Sequence, residues 1–325
     1  MWSGGPASEQ KPAVSVIMPC YNAEKYLVDQ LEALSHQTSS RPSELVVSDN
    51  GSTDSSLEIL ERYRKSLPRL VVVDSSDTPG PAAARNAGVR AASGDLLLMC
   101  DADDVVTPDW LEAMATALEK HEFVAANIDH QLLNDSHPFR ARPTEPGLLQ
   151  SLPPFLPYTL GGAIGVRRAT HDSIGGFDER YRDSCEDRDY CYRLQLAGTP
   201  LTFVPDAVLN YRHRTEVLKM YGQQRSYARG HVQIYRQYRD LGLGRPSILR
   251  SVALWVAMPV RLIFALSSKQ RFTAWMVRLG WQVGQVEGYL RNRVQDPWRP
   301  GGLRSVRQPF VLGVSPGTES RDGGS

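Results

Sequence analysis

Short apolar runs alternate with amphipathic stretches over the first half of the chain. The apolar runs predict strands over Val14–Met18, Glu44–Ser48, Leu70–Val73, Asp95–Cys100 and Phe123–Ala126. Apolar positions at helical spacing predict helices over Ala23–Leu34, from the Asp49–Asp54 turn to Tyr63, over Ala82–Ala92, and from Pro108 with Thr107 as its cap. This alternation is typical of an α/β fold with a mostly parallel sheet and flanking helices.

The pattern is less regular in the second half. The proline-rich segment Asp135–Pro157 predicts a long surface excursion, and Leu160–Val166 and Thr202–Val204 predict further strands. A helix is expected over Asp187–Ala197, and the chain is predicted to be helical from Val217 onward.

Three carboxylates follow the fourth predicted strand directly. Ligand sites of open α/β sheets lie beyond the carboxyl ends of strands, so Asp101 and Asp103 are expected at the ligand edge. Two close carboxylates repel each other, and a hard divalent cation removes that conflict. The alternative is an acidic loop in which Asp103 or Asp104 caps the next helix.

Two other strand ends also carry polar groups. The first strand ends in Pro19–Asn22 rather than in a glycine-rich turn, which argues against a dinucleotide-binding domain. The Asp49–Asp54 turn offers acceptors for a base or a ribose, although it could simply cap a helix. Arg85 could meet a diphosphate or remain a solvated side chain.

Several ordered blocks together resemble the family 2 glycosyltransferases, which have the GT-A fold. The blocks cover about Val14 to Arg214, and they are Val14–Asn22, Asp49–Asp54, Ala84–Gly88, Ser93–Asp104, Gly175–Glu179, Glu186–Tyr190 and Tyr211–His213. The resemblance implies an inverting, metal-assisted transfer of a sugar from a nucleotide-diphosphate donor to an acceptor hydroxyl. One departure is Asn50, where many relatives have a second aspartate, so metal binding is not assigned to it.

The resemblance also implies a role for each matching residue. The nucleotide and donor site would comprise Pro19, Tyr21, Asn22, Asp49, Arg85, Asp101 and Ala102. Mn2+ or Mg2+ would be held by Asp101, Asp103 and His213, with His213 equally well explained as a surface residue. Asp187 would be the general base, with helix capping as its alternative. Gly175, Gly176 and Glu186 would lie on the acceptor side.

Charge is distributed unevenly, although the formal net charge is only +1. Asn210–Phe310 contains 18 Lys and Arg against 4 Asp and Glu, so an acidic N-terminal part of the chain is joined to a basic C-terminal part. The aromatic and basic stretches Ser251–Leu266 and Phe272–Leu290 could lie on an anionic membrane or pack on the catalytic domain or a second subunit. No nucleic-acid recognition motif accompanies this charge.

The expected organisation is a flexible tail over 1–12, a GT-A catalytic domain over 13–214, a basic amphipathic helical region over 215–300 and a disordered tail over 301–325. Within the catalytic domain, 13–105 would bind the nucleotide and 106–214 the acceptor. Met1–Lys11 has no apolar core of a signal peptide, and the four cysteines form no CxxC pair. A cytoplasmic protein, peripheral on the inner face of the plasma membrane, is the expectation.

The expected acceptor is a glycan, a glycolipid or a small hydroxyl compound, in cell-envelope or polysaccharide synthesis. Two alternatives belong to other classes. A sugar nucleotidyltransferase would usually carry a glycine-rich basic loop after the first strand, which Pro19–Asn22 is not. A catalytically silent scaffold that binds nucleotide sugars would not need Asp101, Asp103 and Asp187 together.

Overall fold

The computed structural model describes residues 11–67, 69–134, 150–151, 155–182, 184–243 and 248–294. The strands are β1 Val14–Cys20, β2 Ser43–Asp49, β3 Leu70–Asp74, β4 Leu96–Met99, β5 Val105–Val106, β6 Phe123–Asp129, β7 Gln150–Ser151, β8 Pro157–Tyr158, β9 Ile164–Arg167 and β10 Thr202–Asn210. The helices are α1 Leu27–Ser35, α2 Ser56–Tyr63, α3 Pro81–Ala91, α4 Trp110–Lys120, α5 Arg168–Ser173, α6 Glu186–Leu196, α7 Val217–Tyr238, α8 Ile248–Ala265 and α9 Lys269–Val294.

One eight-stranded sheet has the order β3-β2-β1-β4-β9-β6-β10-β5. β1 pairs in parallel with β2 and β4, and β6 pairs in parallel with β10. Because β9 is antiparallel to both β4 and β6, these two strands share a direction. Six strands therefore run in one direction, whereas β9 and β5 run in the opposite direction. This confirms the predicted α/β class with a mostly parallel sheet.

Helices cover both faces of the sheet because its central strands are apolar on both sides. On one face, the buried side chains of α1, α2 and α4, such as Leu31, Leu60 and Trp110, pack against β1, β2 and β4. On the other face, α3 and α6 contribute Val89 and Tyr190 to a second cluster. The sheet is thus a middle layer, and its polar loops are left at its edges.

Several local predictions differ from the structure. The helix expected over Ala23–Leu34 begins only at Leu27, and the strand expected over Thr202–Val204 continues to Asn210. The helix expected at Pro108 begins at Trp110 with Asp109 at its N-cap position, and the Thr107 backbone N–H and hydroxyl instead donate to the Val208 carbonyl of β10. The first strand, expected over Val14–Met18, continues through Pro19 to Cys20. The strand expected from Leu160 begins only at Ile164, after a short 3-10 turn.

The C-terminal helices pack closely on one another. α9 lies along α7, and glycines 280, 284 and 288 face it without a side chain to separate the backbones. Glu287 of α9 forms ion pairs with Arg225 and Arg229 of α7. α8 runs back along α9, where the Trp275 indole donates to the Met258 carbonyl at 3.1 Å.

Among the described residues, no helix combines the length and the apolar character that crossing a bilayer requires. Residues 1–10 and 301–325 of the predicted tails lie outside the described residues, as do residues 135–149 and 152–154 of the predicted surface excursion.

Candidate active site

The loops after β1 and β2 meet at the ligand edge of the sheet. Cys20, the last residue of β1, is in register with Asp49, the last residue of β2. Asn22 has a positive φ of 49°, which asparagine tolerates better than most residues. Its side-chain oxygen accepts the Thr53 backbone N–H at 2.8 Å, and its own N–H donates to Ser52 at 3.0 Å. Asn22 therefore fixes the two loops against each other.

Asp49 presents an acceptor that no described residue uses. Its Oδ2 accepts the backbone N–H groups of Gly51 and Ser52 at 3.2 and 3.1 Å. Its Oδ1 is buried and has no hydrogen-bond partner in the described part of the chain. Buried acceptors are normally paired, so a ligand donor is the simplest partner for this oxygen. Tyr21, on the neighbouring loop, is 64% exposed, and its ring is free to stack on a ligand.

Asn50 has a structural role that explains why it is not an aspartate. Its side-chain amide donates to the carbonyls of Ser75 and Thr78 at 2.6 and 3.0 Å, and its oxygen accepts the Gly80 N–H at 2.8 Å. A carboxylate could not donate these bonds. Asn50 thereby joins the loop after β2 to the loop that precedes α3.

Arg85 is buried between two carboxylates. Its guanidinium donates to Asp101 Oδ1 at 2.6 Å and to Glu186 Oε1 at 2.7 Å. The side chain is 3% exposed, against 30% for Asp101 and 7% for Glu186. Both terminal nitrogens are thus occupied by the protein, and the predicted diphosphate contact of Arg85 stays a prediction. The geometry places Arg85 as a link between the loop after β4 and the start of α6.

A glycine pair that sequence reasoning missed makes this arrangement possible. A Cβ on Gly161 would lie 2.5 Å from an Arg85 nitrogen, and one on Gly162 would lie 2.9 Å from the Asp101 carboxylate. Only residues without side chains fit there. The signal was present as adjacent glycines in the run that was interpreted as an ordinary strand.

The carboxylates after β4 differ in their surroundings. Asp104 is buried and accepts the Arg212 backbone N–H at 2.9 Å, so it anchors the chain after β10 rather than capping a helix. Burial, with the neighbouring Asp101 charge, raises the pKa of Asp103 to about 6. Burial and the charges of Asp103 and Asp101 also raise the pKa of Asp104. The Arg212 charge opposes both rises, and the Arg214 charge opposes the rise at Asp103. Ala102, between Asp101 and Asp103, is buried, and its donor role stays a prediction.

Each residue of Glu186–Tyr190, at the start of α6, has a different partner. Glu186 pairs with Arg85, and Arg188 donates to the Tyr158 hydroxyl at 3.0 Å. Asp189 is fully buried and accepts from Tyr238 of α7 and Arg193. Tyr190 lies in the core, stacked on Phe177 with ring centroids 4.1 Å apart. Glu186 and Asp187 are therefore the two carboxylates of this segment that face polar groups of the site.

The Asp187 carboxylate is half-buried and held by backbone groups. Its Oδ2 accepts the Gly161 N–H at 3.1 Å, and its Oδ1 accepts the Arg188 N–H at 2.7 Å. Burial raises the pKa of Asp187, although the nearby Arg188 and Arg85 charges oppose that rise. Burial and the Asp187 charge, opposed by Arg85, raise the pKa of Glu186 to about 7. Cys185, before this pair, adopts a strained φ of 70°.

Helix α7 closes one side of the site, which the sequence did not indicate. The Gln223 amide donates to the Tyr227 hydroxyl at 3.1 Å, and burial, together with the Asp187 charge, raises the pKa of Tyr227 to about 12. His231 lies 3.2 Å from an Arg188 nitrogen, and burial lowers its pKa to about 4. Although the predicted catalytic domain ends at residue 214, these contacts join α7 to α6. The predicted boundary itself stays a prediction.

His213 stacks on a second histidine that sequence reasoning did not include. Its Nε2 lies 3.2 Å from His130 Nδ1, and the ring centroids are 5.1 Å apart. Within the described ranges, there is no group of at least three His, Cys, Asp or Glu side chains that lie close enough together to hold a metal ion. The assignment of His213 as a ligand stays a prediction.

Gly175 and Gly176 form the expected turn, each with a φ of 74°. The Asn86 side chain clamps the next residue, since it accepts the Phe177 N–H and donates to the Phe177 carbonyl, both at 2.9 Å. Contact of this turn with an acceptor stays a prediction.

The mixed sheet with its acidic ligand edge defines a GT-A glycosyltransferase fold. Two solved structures share the fold over most of both chains. The mannosyltransferase PcManGT from Pyrobaculum calidifontis, in complex with GDP-Man and Mn2+, matches with a TM-score of 0.57 and 18% identity over 91% of each chain. Staphylococcus aureus TarS 1–349, in complex with UDP, matches with a TM-score of 0.50 and 20% identity over 86% of this chain and 91% of that one.

The chain belongs to the family 2 glycosyltransferases. The sequence model described as glycosyl transferase family 2 matches residues 15–175, and that of glycosyl transferase family group 2 matches residues 96–284. The poly(ribitol-phosphate) beta-N-acetylglucosaminyltransferase TarS of Staphylococcus aureus is 36% identical over 208 residues, which are 62% of this chain. The match is 36% of that relative's length, so the chain spans about a third of it. The family confirms the predicted class of enzyme.

Proposed function

We propose that the chain transfers a sugar from a nucleoside-diphosphate donor to an acceptor hydroxyl, with inversion at the anomeric carbon. The observation that carries this proposal is the array at the ligand edge: Asp187 lies beside Glu186, which Arg85 links to Asp101. A single base and no enzyme nucleophile fit one in-line displacement.

The donor nucleotide would bind at the loops after β1 and β2. The unpartnered Oδ1 of Asp49 is suited to a base N–H, and the exposed ring of Tyr21 is suited to stacking on the base. Pro19 and Asn22 shape the same loop. This site does not select among bases by itself, because uracil, thymine and guanine all carry a ring N–H donor.

A divalent cation fits the residues after β4. Asp103, whose pKa is raised to about 6, and Asp101, whose second oxygen is not used by Arg85, would hold Mn2+ or Mg2+. When bound, the cation supplies positive charge for the departing diphosphate. The Mn2+ in the PcManGT structure supports a divalent metal for this fold.

Asp187 would be the general base for the acceptor hydroxyl. The Gly161 and Arg188 N–H groups orient its carboxylate. Burial raises its pKa, which makes the carboxylate a better proton acceptor than an exposed aspartate. The Arg85–Glu186 ion pair keeps the start of α6 next to the loop that carries Asp101.

The acceptor would be a glycan, a glycolipid or another hydroxyl compound of cell-envelope or polysaccharide synthesis. The poly(ribitol-phosphate) named for the TarS relative supports an anionic polymer of this kind. We place the reaction at the inner face of the plasma membrane, in keeping with the basic C-terminal region.

The variant Asp187→Asn tests the assignment of the base. We expect turnover at saturating donor to fall by at least about a hundredfold, because general-base catalysis contributes about 10²–10⁴. Donor affinity, measured by calorimetry, should stay within about twofold. Asp178→Asn is the matched control, since Asp178 lies in the turn after Phe177 and pairs with Arg180. Normal turnover with weakened donor binding in Asp187→Asn would contradict the assignment.

A further inference from the structure

Helix α8 exposes an almost continuous apolar face. Its exposed large apolar side chains recur at helical spacing, and Arg261 is exposed among them. The apolar ones are Val252, Trp255, Val256, Val260, Ile263 and Phe264, followed by Leu266. Ile263 and Leu266 are each 71% exposed. Soluble surfaces rarely carry an apolar patch of this extent without a partner.

Helix α9 does not share this face, although both stretches were expected to be alike. Its glycines lie against α7, and its Trp275 and Trp281 contact Met258 of α8 and His231 of α7, respectively. The partner of α9 is therefore already present in the chain, whereas the outer face of α8 has none among the described residues.

The hairpin of α8 and α9 extends beyond the start of α7. Gly280 faces Tyr221 and Gly284 faces Arg225, so Val217, the first residue of α7, is level with about Met276. The first seven or so residues of α9 thus project by about 10 Å, at 1.5 Å per residue. The last turns of α8, which follow Met258 and lie alongside these residues, project to the same extent. We call this projecting part, residues 259–275, the hairpin tip.

The charge around the apolar face has a single sign. Residues 248–286 contain five basic residues and no acidic ones: Arg250, Arg261, Lys269, Arg271 and Arg278. No carboxylate pairs with Arg261, Lys269 or Arg278 in the described part of the chain. Apolar side chains flanked by uncompensated basic ones match a bilayer that carries anionic headgroups.

A cavity beside this face offers a place for one headgroup. It has a volume of about 500 Å³, lies between α7, α8 and α9, and is lined by Arg261, Arg278, Trp281, Gln282 and Gln285, among others. Two arginines and side-chain amides are donors suited to a phosphate, and Leu254 and Met258 form an apolar wall.

We propose that the hairpin tip docks the enzyme on an anionic phospholipid bilayer, with the apolar face of α8 among the acyl chains and a lipid phosphate between Arg261 and Arg278. The start of α7 follows shortly after His213 at the ligand edge of the sheet, so docking at this tip brings that edge towards the bilayer. The inference does not depend on the proposed chemistry, because binding is measured without donor or acceptor.

Co-sedimentation of the full chain with vesicles tests the docking. Vesicles of phosphatidylglycerol and phosphatidylcholine should bind the enzyme at least about tenfold more tightly than phosphatidylcholine alone, since each basic residue near the surface contributes about fivefold. The variant Ile263→Gln/Phe264→Gln should lose at least about tenfold on the anionic vesicles. Arg261→Gln/Arg278→Gln should lose about 25-fold there, at about fivefold per residue, and little on neutral vesicles.

The matched control is Val286→Gln/Leu290→Gln, which changes exposed apolar residues of α9 outside the tip. The affinity of this control for the anionic vesicles should stay within about twofold of that of the original chain. The circular dichroism spectrum should be unchanged in all variants. Equal binding of the tip variant, or binding to neither vesicle, would overturn the proposal. A dimer in lipid-free size-exclusion chromatography that the tip variant abolishes would also overturn it, because a second copy would then cover α8.

Discussion

Replacing Arg85 with methionine tests whether the ion pairs at the site also hold the fold together. Methionine keeps much of the apolar volume of the arginine stem but removes both hydrogen-bonded ion pairs. The Glu186 carboxyl, 7% exposed, is then left without its positive partner, and Asp101 loses the same contact. Breaking a buried pair on one side destabilises a protein by about 3–5 kcal/mol. We therefore expect a loss of that size at pH 8.

The loss of stability in Arg85→Met should increase as the pH rises. Glu186 has a raised pKa of about 7 in the folded protein, and removing the Arg85 charge raises it further. Below pH 6 the carboxyl is protonated in both proteins, so its charge contributes little to the difference. As the pH rises from 6 to 9, the original carboxyl ionises against Arg85, whereas ionisation in the variant is opposed. The deficit should grow by up to about 1.4 kcal/mol per pH unit.

Urea unfolding followed by circular dichroism at pH 6 and pH 8 measures this deficit. Arg41→Met is the matched control, because Arg41 also bridges two carboxylates, Glu112 and Glu119, but these are 41% and 53% exposed. Its loss should be at most about 1 kcal/mol. Arg85→Met/Glu186→Gln should recover part of the stability at pH 8. A loss below about 1 kcal/mol for Arg85→Met, equal at both pH values, would refute the reasoning.

Three further predictions concern the base, the helical packing and the nucleotide site. Turnover should fall as the pH drops through the raised pKa of Asp187, with a midpoint above the ordinary aspartate value of about 4, and a pH profile without this limb would argue against that base. Gly284→Ala should destabilise the chain by about 1–3 kcal/mol in thermal unfolding, because the added Cβ would meet the Arg225 carbonyl. The control Gly222→Ala, where the added Cβ would meet no other atom, should be neutral or stabilising by about 1 kcal/mol. Asp49→Ala should weaken nucleoside diphosphate binding at least about tenfold but leave pyrophosphate binding unchanged, as calorimetry can show.

The sequence predicted the sheet class well, because apolar strands and amphipathic helices follow from local periodicity. It also placed Asp49 and Asp101 at strand ends, where parallel topology brings them to one edge. It could not show that Arg85 is shared by Asp101 and Glu186, since Glu186 lies 101 residues further along the chain. The fit of Gly161 against Arg85 likewise depends on tertiary packing.

The position of Tyr227 was not readable for a similar reason. It lies within a helix whose sequence is simply basic and amphipathic, and contacts of α7 with α6, such as those of Tyr238 with Asp189 and of His231 with Arg188, bring it to the site. Thr107 was misinterpreted because its hydroxyl bonds to β10, a contact with no signal near it in the sequence. Local periodicity therefore predicted the helices and strands, whereas contacts between residues far apart in the sequence determine how the side chains of the site are positioned.

Calorimetric titration with UDP, GDP, TDP and CDP, each with and without Mn2+ or Mg2+, tests the central claim most directly. The account predicts that at least one nucleotide binds, that binding strengthens with the cation, and that Asp101→Ala and Asp103→Ala remove the cation's contribution while the fold persists. Failure of all four nucleotides to bind at millimolar concentration with either cation would contradict it.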